Sequence, residues 1–372
     1  MYAIENYTFE LPDARIAQFP AQPADSCKLL VADRTQQKIT DATFADLPDF
    51  LSRPSLLVRN VTKVIQARLP LTSFAWEILF LGQHSPTRAE ALVRPGKKFR
   101  VGDVVVLPEF DCTITVIAQT EDGRILDCSR PWSELINQFG HLPLPPYIST
   151  SQEKEVLYQP VFAQTPWSVA APTASLHFTP ELIQTLTQTG HAWADVTLHV
   201  GIGTFKPVWV DDIRDHKIHP ETMSISISLF TTLMQAKQAW RPVVAIGTTV
   251  TRTLESLPYL RTLLPQETKE SLPIETQQRW EKTSADVHEA TTYLNDLHIE
   301  EDTISCTSCL YILPGHKRNI VDHLITNFHL PKSSLLVLVD SFLGDRQRKE
   351  LYDHALADEY RFFSFGDAML IV

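Results

Sequence analysis

Short apolar runs punctuate the first 66 residues. Leu56-Leu57-Val58 and Val64-Ile65 read as brief buried strands either side of the polar stretch 59–63. From about residue 67 the texture changes. Trp76-Glu77-Ile78-Leu79-Phe80-Leu81, Ala89-Glu90-Ala91-Leu92-Val93 and Thr113-Ile114-Thr115-Val116-Ile117 are short and alternating, with turn signals at Val101-Gly102-Asp103 and Glu121-Asp122-Gly123. Strands of this length and spacing predict a small β-barrel or sandwich. Residues 140–147 then bring Pro143, Pro145 and Pro146, which stiffen the chain into an extended linker and mark the return to a main domain.

Beyond residue 160 the pattern becomes α/β. Thr179-Pro180-Glu181 is a helix start: a capping hydroxyl, proline at the first helical position and an acid in the positive first turn. Leu182, Ile183 and Leu186 supply its apolar face and Gly190 ends it. Residues 194–200 predict a strand, 229–239 a helix, and Val243-Val244-Ala245-Ile246 a buried strand that runs through Gly247-Thr248-Thr249 into another helix. An apolar helix over 335–342 should stop at Gly344, followed by a polar helix over 346–359 and strands at 362–364 and 368–372. Residues 262–303 read as a solvated polar insertion, with Trp280, Val287 and Leu294 at heptad spacing for one surface helix. The expected organisation is a main α/β domain, residues 1–66 and 149–372, with a small domain inserted at 67–148.

Composition narrows the class. The 372 residues are 44% hydrophobic, enough for an ordinary core, and contain no apolar run of membrane-spanning length. The first residues lack the basic-then-apolar pattern of a secretion signal, and five scattered cysteines suit a reducing compartment, so a cytoplasmic protein is expected. Cys306 and Cys309 form one Cys-x-x-Cys without a second ligand pair, and His216 and His219 lack partners at set spacing, so no metal is expected. A net charge of −11 argues against sequence-blind nucleic-acid binding. It leaves room for a local basic patch, and Arg94, Lys97, Lys98 and Arg100 make one.

Reactive side chains gather in a few segments, with His177 and His199 each ending an apolar stretch. Ligands bind at the C-terminal ends of strands in open α/β sheets, and histidine changes charge most easily near neutral pH. Gly201-Ile202-Gly203 is no dinucleotide fingerprint but permits close backbone approach. The helix start at Thr248 and Thr249, with Arg252 one turn in, suits an anion such as a carboxylate; simple capping by a threonine is the competing reading. Asp322 and His329 qualify as acid or base, and Asn327 as an orienting group.

At these segments the chain closely resembles the S-adenosylmethionine:tRNA ribosyltransferase-isomerase family of queuosine biosynthesis. The matching blocks are 140–148 (GHLPLPPYI), 169–178 (VAAPTASLHF), 196–208 (VTLHVGIGTFKPV), 246–255 (IGTTVTRTLE), 326–331 (TNFHLP) and 360–369 (YRFFSFGDAM), with 60–65 and 90–102 near the start. The resemblance implies an α/β domain with an inserted β-barrel. It implies transfer and isomerisation of the ribosyl unit of S-adenosylmethionine onto 7-aminomethyl-7-deazaguanine at the tRNA wobble position. Adenine and methionine are released, S-adenosylmethionine is a co-substrate, and no prosthetic group is involved.

Matched to that chemistry, His177 and His199 are expected to act as an acid–base pair assisted by Asp322 or His329. Thr248, Thr249 and Arg252 would hold the methionine carboxylate, and Phe178 or Phe205 would face the sulfonium. Thr173, Ser175, Gly201, Gly203 and Asn327 complete the expected substrate site. Arg94, Lys97, Lys98 and Arg100 would contact anticodon-arm phosphates. A monomer is expected. Four positions depart from the family pattern: Ala24 where arginine is frequent, Val61 where a second asparagine is common, Ser175 where glycine is usual, and Asp340 where a small residue is usual. A tRNA-binding homologue on the same scaffold with impaired catalysis is the alternative.

Overall fold

The computed structural model describes residues 2–71, 75–201, 203, 207–272 and 287–372. Two compact units divide the chain. The large one comprises residues 1–62, 160–164 and 172–372, and the small one 63–159 and 165–171.

The large unit is built on a ten-stranded sheet. Its order is Leu294–Glu300, Thr303–Ser308, Glu221–Ser226, Ala192–Leu198, Leu56–Asn60, Val243–Ile246, His323–Asn327, Ala368–Ile371, Lys28–Asp33 and Lys38–Thr43. The four central strands, Ala192–Leu198 to His323–Asn327, run parallel. Val243-Val244-Ala245-Ile246 is wholly buried, as expected for a parallel strand covered on both faces. One face packs Leu29, Val31, Leu57, Val244, Ile246 and Ile325 against Phe44, Phe178, Leu182 and Leu186. Helix Pro180–Gln188 begins as its sequence predicts, with the Thr179 hydroxyl accepting from the Leu182 amide at 3.2 Å.

Two parts of the sequence reading change. The strand Leu294–Glu300 lies inside the stretch read as a solvated insertion and forms an edge of the sheet. Trp280 lies outside the described residues. Residues 362–364 form a turn rather than a strand, with a single bridge from Ile16 to Phe362. The long helical stretch Ser334–Ala357 is broken where expected: Gly344 holds φ 75° and ψ 160°, a backbone conformation that glycine adopts without strain. Asp340 is 1% exposed, and its two oxygens accept from Arg348 Nε at 2.9 Å and from the Tyr7 hydroxyl at 2.8 Å. The partners of this buried acid account for its presence where a small residue is usual.

The small unit is a six-stranded antiparallel sheet ordered Arg68–Leu71, Trp76–Gln83, Arg88–Arg94, Arg124–Cys128, Cys112–Gln119, Val104–Leu107. Side chains alternate across it, so Ile78, Phe80, Ala89, Ala91, Ile114 and Val116 are buried. No helix among the described residues is long and apolar enough to cross a membrane.

Candidate active site

The C-terminal edge of the parallel strands gathers most of the candidate residues. Ala192–Leu198 ends at His199, Leu56–Asn60 leads to Thr62, Val243–Ile246 leads to Gly247 and His323–Asn327 ends at Asn327. Asn60 is fully buried and ties two of these ends together. Its amide donates to the Leu198 carbonyl at 2.9 Å, and its oxygen accepts from the Leu198 and Thr62 amides at 3.1 Å each. Val61 needs only its backbone, whose amide donates to Val196 and whose carbonyl accepts from Gln164. An apolar side chain there therefore costs the edge no hydrogen bond.

His199 is half-buried. Its Nδ1 lies 2.9 Å from the Thr62 hydroxyl, while Nε2 has no partner among the described residues. Burial lowers its pKa, so the ring is neutral at pH 7. This combination of an oriented ring and a free nitrogen suits proton transfer.

His177 differs. It ends the one-turn helix Thr173–His177, is 4% exposed, and has both nitrogens engaged. The Asn327 amide donates to Nε2 at 3.0 Å, so Nδ1 carries the proton toward Cys27 Sγ at 3.2 Å. Asn327 also donates to the Phe363 carbonyl and accepts from the Thr173 hydroxyl at 3.2 Å. Burial pushes the His177 pKa down to about 4. His329 is buried too: Nε2 meets the Thr326 hydroxyl at 2.9 Å, and burial lowers the pKa to about 3. Burial thus leaves both His177 and His329 neutral at pH 7, and both ring nitrogens of His177 are engaged.

Asp322 is a correction to the expected catalytic set. It precedes strand His323–Asn327 and so lies at the opposite edge of the sheet. Its carboxylate accepts from Lys237 at 2.7 and 2.8 Å and from the Val243 amide at 2.8 Å. Phe178 is also displaced from the expected role: it is 3% exposed and packs in the core against Phe44, Phe162 and Trp193. Phe205 lies outside the described residues.

The helix Thr248–Leu263 opens at this same edge. Its N-cap, Gly247, holds φ 96° and makes no side-chain cap, so the capping reading of Thr248 and Thr249 does not hold. The first free amides of such a helix seek an acceptor. Thr249 Oγ1 is buried with no hydrogen-bond partner among the described residues, as are Ser175 Oγ and Arg252 Nε. A Cβ on Gly247 would come 3.6 Å from both Ala174 and Thr249 Oγ1, so the 173–177 turn sits directly on the helix start. Ser175 adopts no positive φ, so glycine is not required at its position.

Arg252 is 5% exposed and pairs with Glu221, also 5% exposed, on strand Glu221–Ser226. The other Glu221 oxygen accepts from the Gly201 amide at 3.3 Å. Gly203 faces His219, whose ring a Cβ would strike at 2.6 Å, whereas a Cβ on Gly201 would meet nothing. Close approach at this loop therefore serves His219 at Gly203. Asn60, Thr62, Cys27 and Glu221 are site residues that the sequence reading passed over; all act through partners distant in the chain. In the small unit, Arg94, Lys97, Lys98 and Arg100 are all exposed and unpaired among the described residues, around the buried Phe99.

Comparison with known proteins decides the family. Residues 4–371 match the family described as queuosine biosynthesis protein. The chain belongs to the queuosine biosynthesis protein family. The S-adenosylmethionine:tRNA ribosyltransferase-isomerase of Thermosynechococcus vestitus is 38% identical, over 100% of this chain and 96% of that protein. The enzyme of the same name from Desulfitobacterium hafniense is 36% identical over 99% of both. The crystal structure of S-adenosylmethionine tRNA ribosyltransferase from Thermotoga maritima has 31% identity and a TM-score of 0.52, covering 99% of this chain and all of that one.

Proposed function

We propose that the chain transfers and isomerises the ribosyl unit of S-adenosylmethionine onto 7-aminomethyl-7-deazaguanine at the tRNA wobble position, giving epoxyqueuosine-tRNA with release of adenine and methionine. The observation that carries this reading, beside the family, is His199: a neutral imidazole with Nδ1 held by Thr62 and Nε2 without a partner among the described residues. The sulfonium acidifies the adjacent ribose carbon, and a neutral imidazole is the right base for that proton. Adenine leaves more readily when protonated, so His199 returns the proton to the base as its bond to the ribose breaks; the tRNA aminomethyl nitrogen loses a proton as it bonds to the ribosyl unit, and methionine leaves with both electrons of the carbon–sulfur bond as the epoxide oxygen bonds to that carbon.

The methionine carboxylate falls to the free amides at the start of helix Thr248–Leu263, aided by the unbonded Thr249 hydroxyl and Arg252 Nε. Because Glu221 balances Arg252, the helix dipole and amides supply more of the grip than a bare arginine would. His177, Asn327 and Thr173 hold the turn that carries Ser175. In the small unit, read as an inserted barrel over 67–148, Arg94, Lys97, Lys98 and Arg100 meet anticodon-arm phosphates. S-adenosylmethionine is the co-substrate, with no prosthetic group, and the enzyme works as a cytoplasmic monomer.

The test is incubation of the protein with S-adenosylmethionine and tRNA carrying 7-aminomethyl-7-deazaguanine, followed by mass spectrometry of the digested nucleosides and chromatography of free adenine. Epoxyqueuosine and adenine in equal amounts are expected. Bound tRNA with neither product points to the impaired homologue, and adenosylhomocysteine in place of adenine to a methyltransferase.

A further inference from the structure

An open cavity of about 660 Å³ lies in the large unit at the end of the parallel strands opposite the candidate site. Arg34, Arg53, Lys237, Arg241, Lys317 and Arg318 line it, against the single carboxylate of Asp322. Asp322 is already held by Lys237 and the Val243 amide. Arg34 donates to the Asp322 carbonyl and to Val372, and Arg318 to the Ser341 carbonyl; neither side chain makes an ion pair with a carboxylate side chain among the described residues. Arg53, Arg241 and Lys317 have no ion pair among the described residues. Glu255 stands behind the cavity, fully buried, with its oxygens taken by the amides of Asn319, Ile320 and Val321. In a chain of net charge −11, six of the 33 lysines and arginines converge on one cavity.

Two further observations point to a ligand. His323 Nδ1 and His316 Nε2, both in the lining, are buried without a hydrogen-bond partner among the described residues; the 3.6 Å from His316 to Glu255 is too long for one. Trp240, also in the lining, is 81% exposed and holds φ 54°, a strained conformation for a bulky residue. Guanidinium and ammonium groups recognise phosphate oxygens, and an exposed indole stacks on a nucleobase.

We propose that this cavity grips backbone phosphates of the tRNA substrate, with Trp240 stacking on a base beside them. The inference rests on the ribosyltransferase reading, which supplies the RNA. His323 and Asn327 are about 13 Å apart along their strand. The phosphates held here therefore belong to nucleotides other than the one being modified. An open cavity of this size, spread over several cations and edged by an aromatic ring, fits a polynucleotide better than a single small anion.

The experiment measures the affinity of full-length wobble-modified tRNA across a salt series for wild type, the double variant Arg241→Glu/Lys317→Glu, and Arg53→Gln as a milder change. Melting curves check the fold, and adenine release is followed at saturating tRNA. The double variant should bind about 10-fold or more weakly near ~0.1 M salt, with a log–log salt slope smaller by about two. Arg53→Gln should weaken binding less, and adenine release at saturation should persist in both. Unchanged affinity and slope in both variants overturn the proposal. So does inorganic pyrophosphate that stabilises the wild type but not the double variant while tRNA affinity stays the same, which would make the cavity a small-anion site. Wild-type protein that binds tRNA through these cations yet releases no adenine sinks the activity reading and leaves the cavity standing.

Discussion

The two ends of the same parallel strands are built on opposite electrostatic plans. At the C-terminal end, His177, His199 and His329 are all driven neutral by burial, and the cation Arg252 is matched by Glu221. Polarity there comes from uncharged groups: the Thr249 and Ser175 hydroxyls and the first amides of a helix. At the N-terminal end, cations outnumber the one lining carboxylate. The difference teaches what each end can do. A sulfonium substrate would be repelled by uncompensated cations, whereas a neutral, oriented edge accepts its charge and still offers amides to its carboxylate. Phosphate calls for the reverse.

The comparison breaks most sharply at the Arg252–Glu221 pair. Glu221→Ala leaves a buried guanidinium alone, and the loss of stability should be about 3–5 kcal/mol. Denaturant titration checks this; a loss below about 1 kcal/mol would mean that the C-terminal end tolerates unbalanced charge.

Acid sharpens the contrast next. The folded-state pKa values of His177 and His329 are about 4 and about 3, below the ordinary ~6.5 of the unfolded chain. Between those values the unfolded state binds more protons, so stability falls as pH drops below about 6.5 and goes on falling to about 4 and 3. At pH 5 each histidine should have removed about 2 kcal/mol. His329→Gln should flatten the pH 7 to pH 5 change in denaturation midpoint by that share, and an unchanged slope would show that His329 is not held neutral.

The smallest effect is expected at Thr249→Val. The hydroxyl makes no hydrogen bond among the described residues, so stability should hold or rise by about 1 kcal/mol. KM for S-adenosylmethionine should rise about 5-fold with kcat little changed. An unchanged KM would remove Thr249 from the carboxylate site.

Much of the frame is legible in the sequence where local signals agree. Val243-Val244-Ala245-Ile246 has no polar residue to mislead, Thr179-Pro180 starts a helix by its own chemistry, and Gly344 breaks one. The edge strands are not legible. Glu221–Ser226 hides Met223 and Ile225 among Ser, Thr and Glu, and Leu294–Glu300 exposes most of its side chains, so each reads as polar connection. At the site, the segments are visible but the roles are not. Asp322 and Asn327 are five residues apart yet end up on opposite edges, because a strand carries its two ends to different places. His177 and His199 look equivalent in the chain. Cys27 and Asn327, each 150 residues from His177, close both nitrogens of one ring, while Thr62 holds only one nitrogen of the other.

That last difference carries the account's central claim, and the direct measurement is adenine release from S-adenosylmethionine and wobble-modified tRNA by His199→Ala beside His177→Gln. With folding verified, His199→Ala should lose about 10²-fold or more in kcat. His177→Gln should lose far less at pH 7, with its main cost in stability. Equal losses in the two variants, or wild-type turnover in His199→Ala, would contradict the assignment of proton transfer to His199.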